Sequence, residues 1–280
     1  METETQPITI GATMSEMKTA MLGDNDDDTV DCDLTSFSSV RVAAGRVGEL
    51  AGDNGLDVLC CNAGVMALAD QATTDGFDIQ IQTNHLSHFL LQKLLFPLVK
   101  KAGGRIVNHS SIARHGKQLE EKYFGKNGGN LGGDGASMFL GGARWARYHQ
   151  SKLAQPVFTA ALKERMGEDS GVTVVTVAPG YAATDLQVTS HKSGGFVGGV
   201  TVWTTRFMQS EEDGSMPLCT ACFSGKGGIE IESGGFYEPT LAGAMKGPVG
   251  RAKKNKIEFL GLDMLWKMSE EAIGEKWDVF

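Results

Sequence analysis

Three short apolar runs constrain this chain more than anything else in it: Leu56-Asp-Val-Leu-Cys-Cys61, Gly104-Arg-Ile-Val-Asn-His109 and Val172-Thr-Val-Val-Thr-Val-Ala178. Each has the length of one strand. Their near-continuous apolar character is that of strands covered on both faces, as in a parallel sheet. Helix-length segments separate them, 77–99 between the first two and 145–166 before the third. Strand alternating with helix predicts an α/β fold, a doubly wound parallel sheet of the Rossmann-like kind.

Within 145–166, Leu153, Val157, Ala160, Ala161 and Leu162 recur at helical spacing, which predicts a helix buried along much of its length. Tyr148 and Lys152 then lie on one face, one turn apart. An ammonium close to a phenol favours the phenolate and draws a pKa of about 10 toward the working range. Pro156 stands four residues after Lys152 in the same helix, where its ring crowds the Lys152 carbonyl and removes that carbonyl's partner, so a kink at Lys152 is expected.

A lone Tyr-x-x-x-Lys is common by chance, and order gives this one its meaning. Asn62-Ala63-Gly64 follows the first apolar run, Asn84 lies on the long helix 77–99, Ser110-Ser111 closes the second run, and Pro179-Gly180 closes the third. In that order and spacing the chain resembles the short-chain dehydrogenase/reductase family over about residues 7–185. Asn84-His-Leu-Ser-His-Phe-Leu-Leu91 and the Leu-Ala after Lys152 look most like its retinol dehydrogenase and protochlorophyllide reductase branch.

The resemblance implies an NADP-dependent oxidoreductase, with NAD as the alternative, moving hydride between nicotinamide and a carbonyl or alcohol carbon. It implies Tyr148 as general acid, Lys152 lowering its pKa and holding the nicotinamide ribose, Ser111 orienting the substrate oxygen, Ser110 as structural, and Asn84 anchoring a water of the proton relay. It further implies that Asp33, in the pair Asp33-Leu34, accepts from the adenine amino group, that Asn62, Ala63 and Gly64 approach the adenosine ribose, and that Pro179, Gly180 and Thr184 lie beside the nicotinamide. A nucleotide-sugar epimerase or dehydratase can use the same Tyr and Lys, but the short chain beyond Pro179 argues against it.

The chain departs from that family at its start. Members open with a strand and Thr-Gly-x-x-x-Gly-x-Gly, whose amides and helix N-terminus hold the pyrophosphate. No such turn precedes Ile8, and Gly128-Gly129, Gly132-Gly133, Gly141-Gly142, Gly194-Gly195 and Gly198-Gly199 do not join a strand to a helix. Ile8-Thr-Ile10 matches the family's second strand. The expectation is that the first βα unit is missing, or that Ile8–Ile10 has moved into its slot, with weak cofactor binding by the chain as given. A non-enzymatic remnant that keeps the catalytic residues but binds no cofactor is the rival reading.

One domain over 1–280 fits the length and the 41% hydrophobic content. A net charge of −8 and the lack of any basic cluster beyond Arg251–Lys256 exclude nucleic acid as a partner, and that short run reads as a solvated face or loop. No stretch is long and apolar enough to span a membrane. The irregular cysteines indicate a reducing, cytoplasmic or organellar compartment. Cys219-x-x-Cys222 invites a redox or zinc role but has no second pair beside it.

The glycine-rich stretch 116–142 reads as a mobile flap. Residues 186–215, with Val197, Val200, Trp203, Phe207 and Met208, read as a lid for an apolar small-molecule substrate. Helices are expected at 15–21, after Thr35 or Ser36 to near Gly52, at 216–223 and at 262–273, and a last strand at 235–239. Assembly as a homo-oligomer is left open by the sequence.

Overall fold

The computed structural model describes residues 9–11, 29–136, 141–181, 209–223, 229–253 and 255–279. The helix expected at 15–21, Thr184 and the apolar residues 197–208 of the lid lie outside these. Five strands form one sheet in the order β3 (Val58–Cys61), β4 (Arg105–His109), β5 (Thr173–Val177), β6 (Phe236–Leu241) and β7 (Lys246–Arg251). The first four run parallel in register, Cys60 beside Val107 and Asn108 beside Thr176. The three apolar runs of the sequence are β3, β4 and β5.

One expectation about the sheet is corrected. The strand expected at 235–239 is not the last, because the chain turns back through Ala242, Gly243 and Ala244, all at positive φ, into antiparallel β7. Arg251, expected on a solvated face or loop, is exposed and ends β7 opposite Tyr237. The glycine and proline of Lys-Gly-Pro-Val-Gly hid β7 from a pattern search. Proline lacks a ladder donor, and it is tolerated here at the sheet's edge.

The sheet is also broken. β1 (Thr9–Gly11) pairs in parallel with β2 (Thr29–Asp31), and among the described residues this pair is a sheet of its own. Among the described residues β3 is bonded along one edge only, to β4, and Thr9–Gly11 is not paired beside it.

Helices cover both faces. α1 (Phe37–Ala51) starts where the Ser36 hydroxyl accepts from Ser39 N and stops at Gly52. The helical run after β3 comprises α2 (Ile79–Ile81), one π-turn over Gln82–Leu86, and α3 (Ser87–Ala102). α4 (Ala143–Met166) is the helix of Tyr148 and Lys152, α5 (Glu211–Phe223) packs on the opposite face of the sheet, and α6 (Leu262–Ile273) lies against α4. The core joins Phe89 and Phe158 to Trp266 and Trp277, which stack with centroids 5.1 Å apart.

His85 and His88 are enclosed in the same core. His85 Nε2 meets Ser269 Oγ at 2.9 Å inside a cage of Phe89, Phe124 and Phe158, and His88 Nδ1 meets the Asn84 carbonyl at 3.1 Å. Burial pushes them down to about 3 and about 4. Both folded values lie below the unfolded one, so the unfolded chain binds two protons that the fold refuses, and stability falls as pH drops through about 6.5 toward 4. Asp78, pushed up by burial to about 6, works in the opposite sense. His109, pushed down to about 3 by burial, acts in the same sense as His85 and His88, so the three histidines outweigh Asp78 and the net effect is a loss of stability toward pH 4. Urea midpoints at pH 7 and pH 4.5 check this, and equal midpoints would contradict it.

The glycine-rich stretch after Gly116 is tied down. Leu119, Tyr123 and Phe124 enter the main core, Glu120 N donates to Gln150 Oε1 at 2.8 Å, and His149 meets the Ala113 and Lys117 carbonyls. Further along, Asp70 accepts from Leu131 N and Gly133 N at 2.7 and 2.8 Å. The fully buried Arg147 of α4 grips both sides, donating to the carbonyls of Leu68, Leu131 and Gly133.

Candidate active site

Tyr148 and Lys152 project from α4 toward the carboxyl end of β4, where Ser111 follows the strand. The Ser111 side chain lies near enough to the Tyr148 hydroxyl to favour its ionised form. Lys152 Nζ lies 5.9 Å from the Tyr148 ring centre and donates to the His109 carbonyl at 3.1 Å. Ser111 is held in place because its own Oγ accepts from Ala113 N at 3.2 Å, capping the short turn Ile112–Arg114.

The loop after β3 completes the cluster. A Cβ on Gly64 would come within 2.9 Å of Asn84 Oδ1 and 3.4 Å of Lys152 Nζ, so only glycine lets the backbone pass between these two side chains. Asn84 is buried and clamps the loop with both ends of its amide. Oδ1 accepts from Val65 N at 2.7 Å, and Nδ2 donates to Val65 O and Ser151 Oγ, each at 2.9 Å. Asn84 lies in the π-turn, and Gln155 Nε2 donates to its carbonyl at 2.6 Å. Asn84, Ser111, Tyr148, Lys152 and Gly64 are thus brought together.

Two electrostatic effects differ from the simple picture of an ammonium acidifying a phenol. Burial dominates at Tyr148 and pushes its hydroxyl up to about 12, with Ser111 opposing. Burial likewise pushes Lys152 down to about 8. At neutral pH Tyr148 holds its proton and most of Lys152 remains charged.

Pro156 leaves α4 unbroken from Ala143 to Met166. The Lys152 carbonyl, which has no amide at position 156 to accept from, receives the Ser110 hydroxyl at 2.7 Å. This serine just after β4 therefore satisfies a backbone group that proline orphans. Ser151 and Gln155 escaped the sequence reading. Their signal was available, since polar side chains inside an apolar helical face must find buried partners.

The remaining expected residues are more scattered. Asn62 and Ala63 lead into Gly64 and are half-buried. Pro179 and Gly180 follow β5. Gly180, at φ +79°, could not carry a Cβ without meeting Met245 O at 2.6 Å, and Gln209 donates to the Pro179 carbonyl. Asp33 turns inward on its own loop, accepting from Thr35 N at 2.8 Å and Thr35 Oγ1 at 2.7 Å, while Leu34 is buried and its carbonyl accepts from Ser87. Among the described residues no group of His, Cys, Asp or Glu has the arrangement of a metal site.

The donor set fits the sugar and carboxamide end of a dinucleotide: one ammonium, two hydroxyls and a glycine that keeps the loop backbone close to both. No glycine-rich turn between strand and helix is present among the described residues to fit its pyrophosphate.

A sequence profile of the short chain dehydrogenase family matches residues 7–123. Human retinol dehydrogenase 12 is 30% identical over 256 residues, covering 88% of this chain and 69% of that protein. Human retinol dehydrogenase 11 is 41% identical over 155 residues, covering 55% of this chain, which spans only 44% of that protein's length. Among solved structures, an uncharacterized protein from Mycobacterium paratuberculosis superposes with a TM-score of 0.63 at 25% identity, covering 92% of this chain and 79% of that one.

Proposed function

We propose, on the premise that this chain belongs to the short-chain dehydrogenase family and to its retinol dehydrogenase-like branch, that it interconverts an apolar aldehyde or ketone and its alcohol, with Tyr148 as general acid and base. The family makes it an oxidoreductase. The observation that carries the finer reading is the Tyr148–Ser111 hydroxyl pair, one helical turn from a buried Lys152 ammonium. A reduced nicotinamide, NADPH by resemblance with NADH as the alternative, would supply hydride when bound.

The chain's own residues do the rest. Ser111 holds the substrate oxygen beside the phenol, and Tyr148 gives its proton to that oxygen as negative charge develops there. Lys152 keeps a positive charge close to the phenolate that is left. Asn84 and Gln155 fix the loop and the π-turn around them, so the cluster is positioned before substrate arrives. The retinol of the relatives' names supports an apolar substrate for this chain.

A specific observation favours the rival, a fold that keeps these groups without holding cofactor: β3 is unpaired on one edge among the described residues. Nicotinamide fluorescence separates the two readings. A saturable signal with NADPH supports the enzyme, and none up to millimolar concentration supports the rival.

The pH profile offers a separate check. Lysine is charged below its pKa, so with Lys152 near 8 the ammonium is lost as pH rises through about 8, while Tyr148, near 12, stays protonated. Reductive turnover at saturating cofactor is expected to be flat from pH 6 to 7 and to fall above about 8. A rate that climbs through pH 9 would contradict this assignment.

A further inference from the structure

None of the five cysteines has a part in the site above, and two of them come together on one face of the sheet. On β3, Val58 and Cys60 share a face because side chains alternate along a strand. Cys60 lies beside Val107 of β4, and Val107 packs in one cluster with Val58 and Cys222. Cys222 comes from α5, which is anchored to that face where Arg105 Nη1 donates to the Ala221 carbonyl at 2.8 Å. Cys60 is exposed and Cys222 buried, and the two thiols are close enough for each to perturb the other. The Cys219-x-x-Cys222 motif of the sequence thus supplies one member of a pair whose other member is on β3.

We propose that Cys60 and Cys222 are an oxidative modification site, a dithiol that hydrogen peroxide converts to a disulfide joining α5 to β3. The neighbouring Cys60 thiol holds Cys222 below its ordinary value against the opposing effect of burial, with the Arg105 guanidinium adding to the lowering, which favours the nucleophilic thiolate there.

The chemistry balances. The Cys222 thiolate attacks the peroxide, the O–O bond breaks, and the departing hydroxide takes up the proton the thiol released, giving a sulfenic acid and water. Cys60, losing its proton, then attacks the Cys222 sulfur. The S–O bond breaks and the second oxygen leaves as water, so two thiols are oxidised and one peroxide is reduced to two waters. The new bond would staple α5 to the strand that delivers Asn62–Gly64.

The test is hydrogen peroxide on the full 280-residue chain, with intact mass, non-reducing peptide maps and tandem fragmentation of any cross-linked peptide. The expected result is loss of two hydrogens, reversed by dithiothreitol, with fragmentation placing the bond between Cys60 and Cys222. Cys60→Ser and Cys222→Ser should each abolish the cross-link, and Cys61→Ser and Cys219→Ser should leave it. The wild-type fragmentation decides the matter even where a variant fails to fold. A bond between Cys219 and Cys222 or between Cys60 and Cys61, a sulfinic acid without any cross-link, or no reaction would each overturn the proposal.

Discussion

Replacing Tyr148 by phenylalanine is expected to lower turnover by about 10²–10⁴, the range for losing a positioned general acid. The ring is buried and packs edge-on against Trp145 with centroids 5.8 Å apart, and phenylalanine keeps that packing. What it removes is the hydroxyl, and with it both the transferable proton and the neighbour of Ser111. Ser111 is then free to turn but has no acidic proton to replace the phenol's. Cofactor affinity should change little, so the loss falls on kcat and kcat/KM alike. Near-native turnover in Tyr148→Phe would show that another group protonates the substrate.

The second large effect is structural. Arg147→Met is expected to cost about 3–5 kcal/mol, because it removes the cation of a buried ion pair and strands the anion. Arg147 Nε faces Asp78 Oδ2 at 3.0 Å with both side chains fully enclosed, and Nη1 lies 3.7 Å from Asp70. Three carbonyls, of Leu68, Leu131 and Gly133, lose their donor in the same step. Asp78 cannot simply turn away, since its other oxygen caps α2 by accepting from Gln80 N and Ile81 N. Protonation sets the limit on the cost. Asp78 is already raised to about 6, and without Arg147 it rises further and takes up a proton near neutral pH. The loss should therefore shrink as pH falls below about 6, and Asp78→Asn in the Arg147→Met background should recover part of it. Urea unfolding at pH 7.5 and pH 5.5 checks both, and a cost under about 1 kcal/mol would contradict the clamp.

The contrast between Tyr148 and Arg147 shows how much was legible from residues alone. β3, β4 and β5 could be read because parallel strands are apolar on both faces and leave an uninterrupted run. α1, α3 and α6 could be read from caps and periodicity, with Ser36 and Gly52 bounding α1 within a residue or two. β7 could not, because its glycine and proline carry no strand signature and its pairing depends on a turn at positive φ. At the site, side chains in an ordered motif were visible, and the groups that hold them were not. Ser110 reaches the carbonyl freed by Pro156 and Gln155 reaches the Asn84 carbonyl in the π-turn, contacts between elements far apart in sequence. The direction of the Tyr148 shift was also hidden. Local spacing places an ammonium near the phenol, but only the packed structure shows that burial outweighs it.

Isotope transfer tests the central claim most directly. The 280-residue protein is given NADPH deuterated at the transferable position of C4, at millimolar concentration, with a medium-chain aldehyde, and the alcohol is analysed by mass spectrometry. Hydride transfer at the Tyr148 cluster predicts an alcohol carrying one deuterium on carbon, formed by the parent protein and reduced by about 10²–10⁴ in Tyr148→Phe. Unlabelled aldehyde recovered from a protein that demonstrably binds NADPH, or equal label from parent and variant, would contradict it.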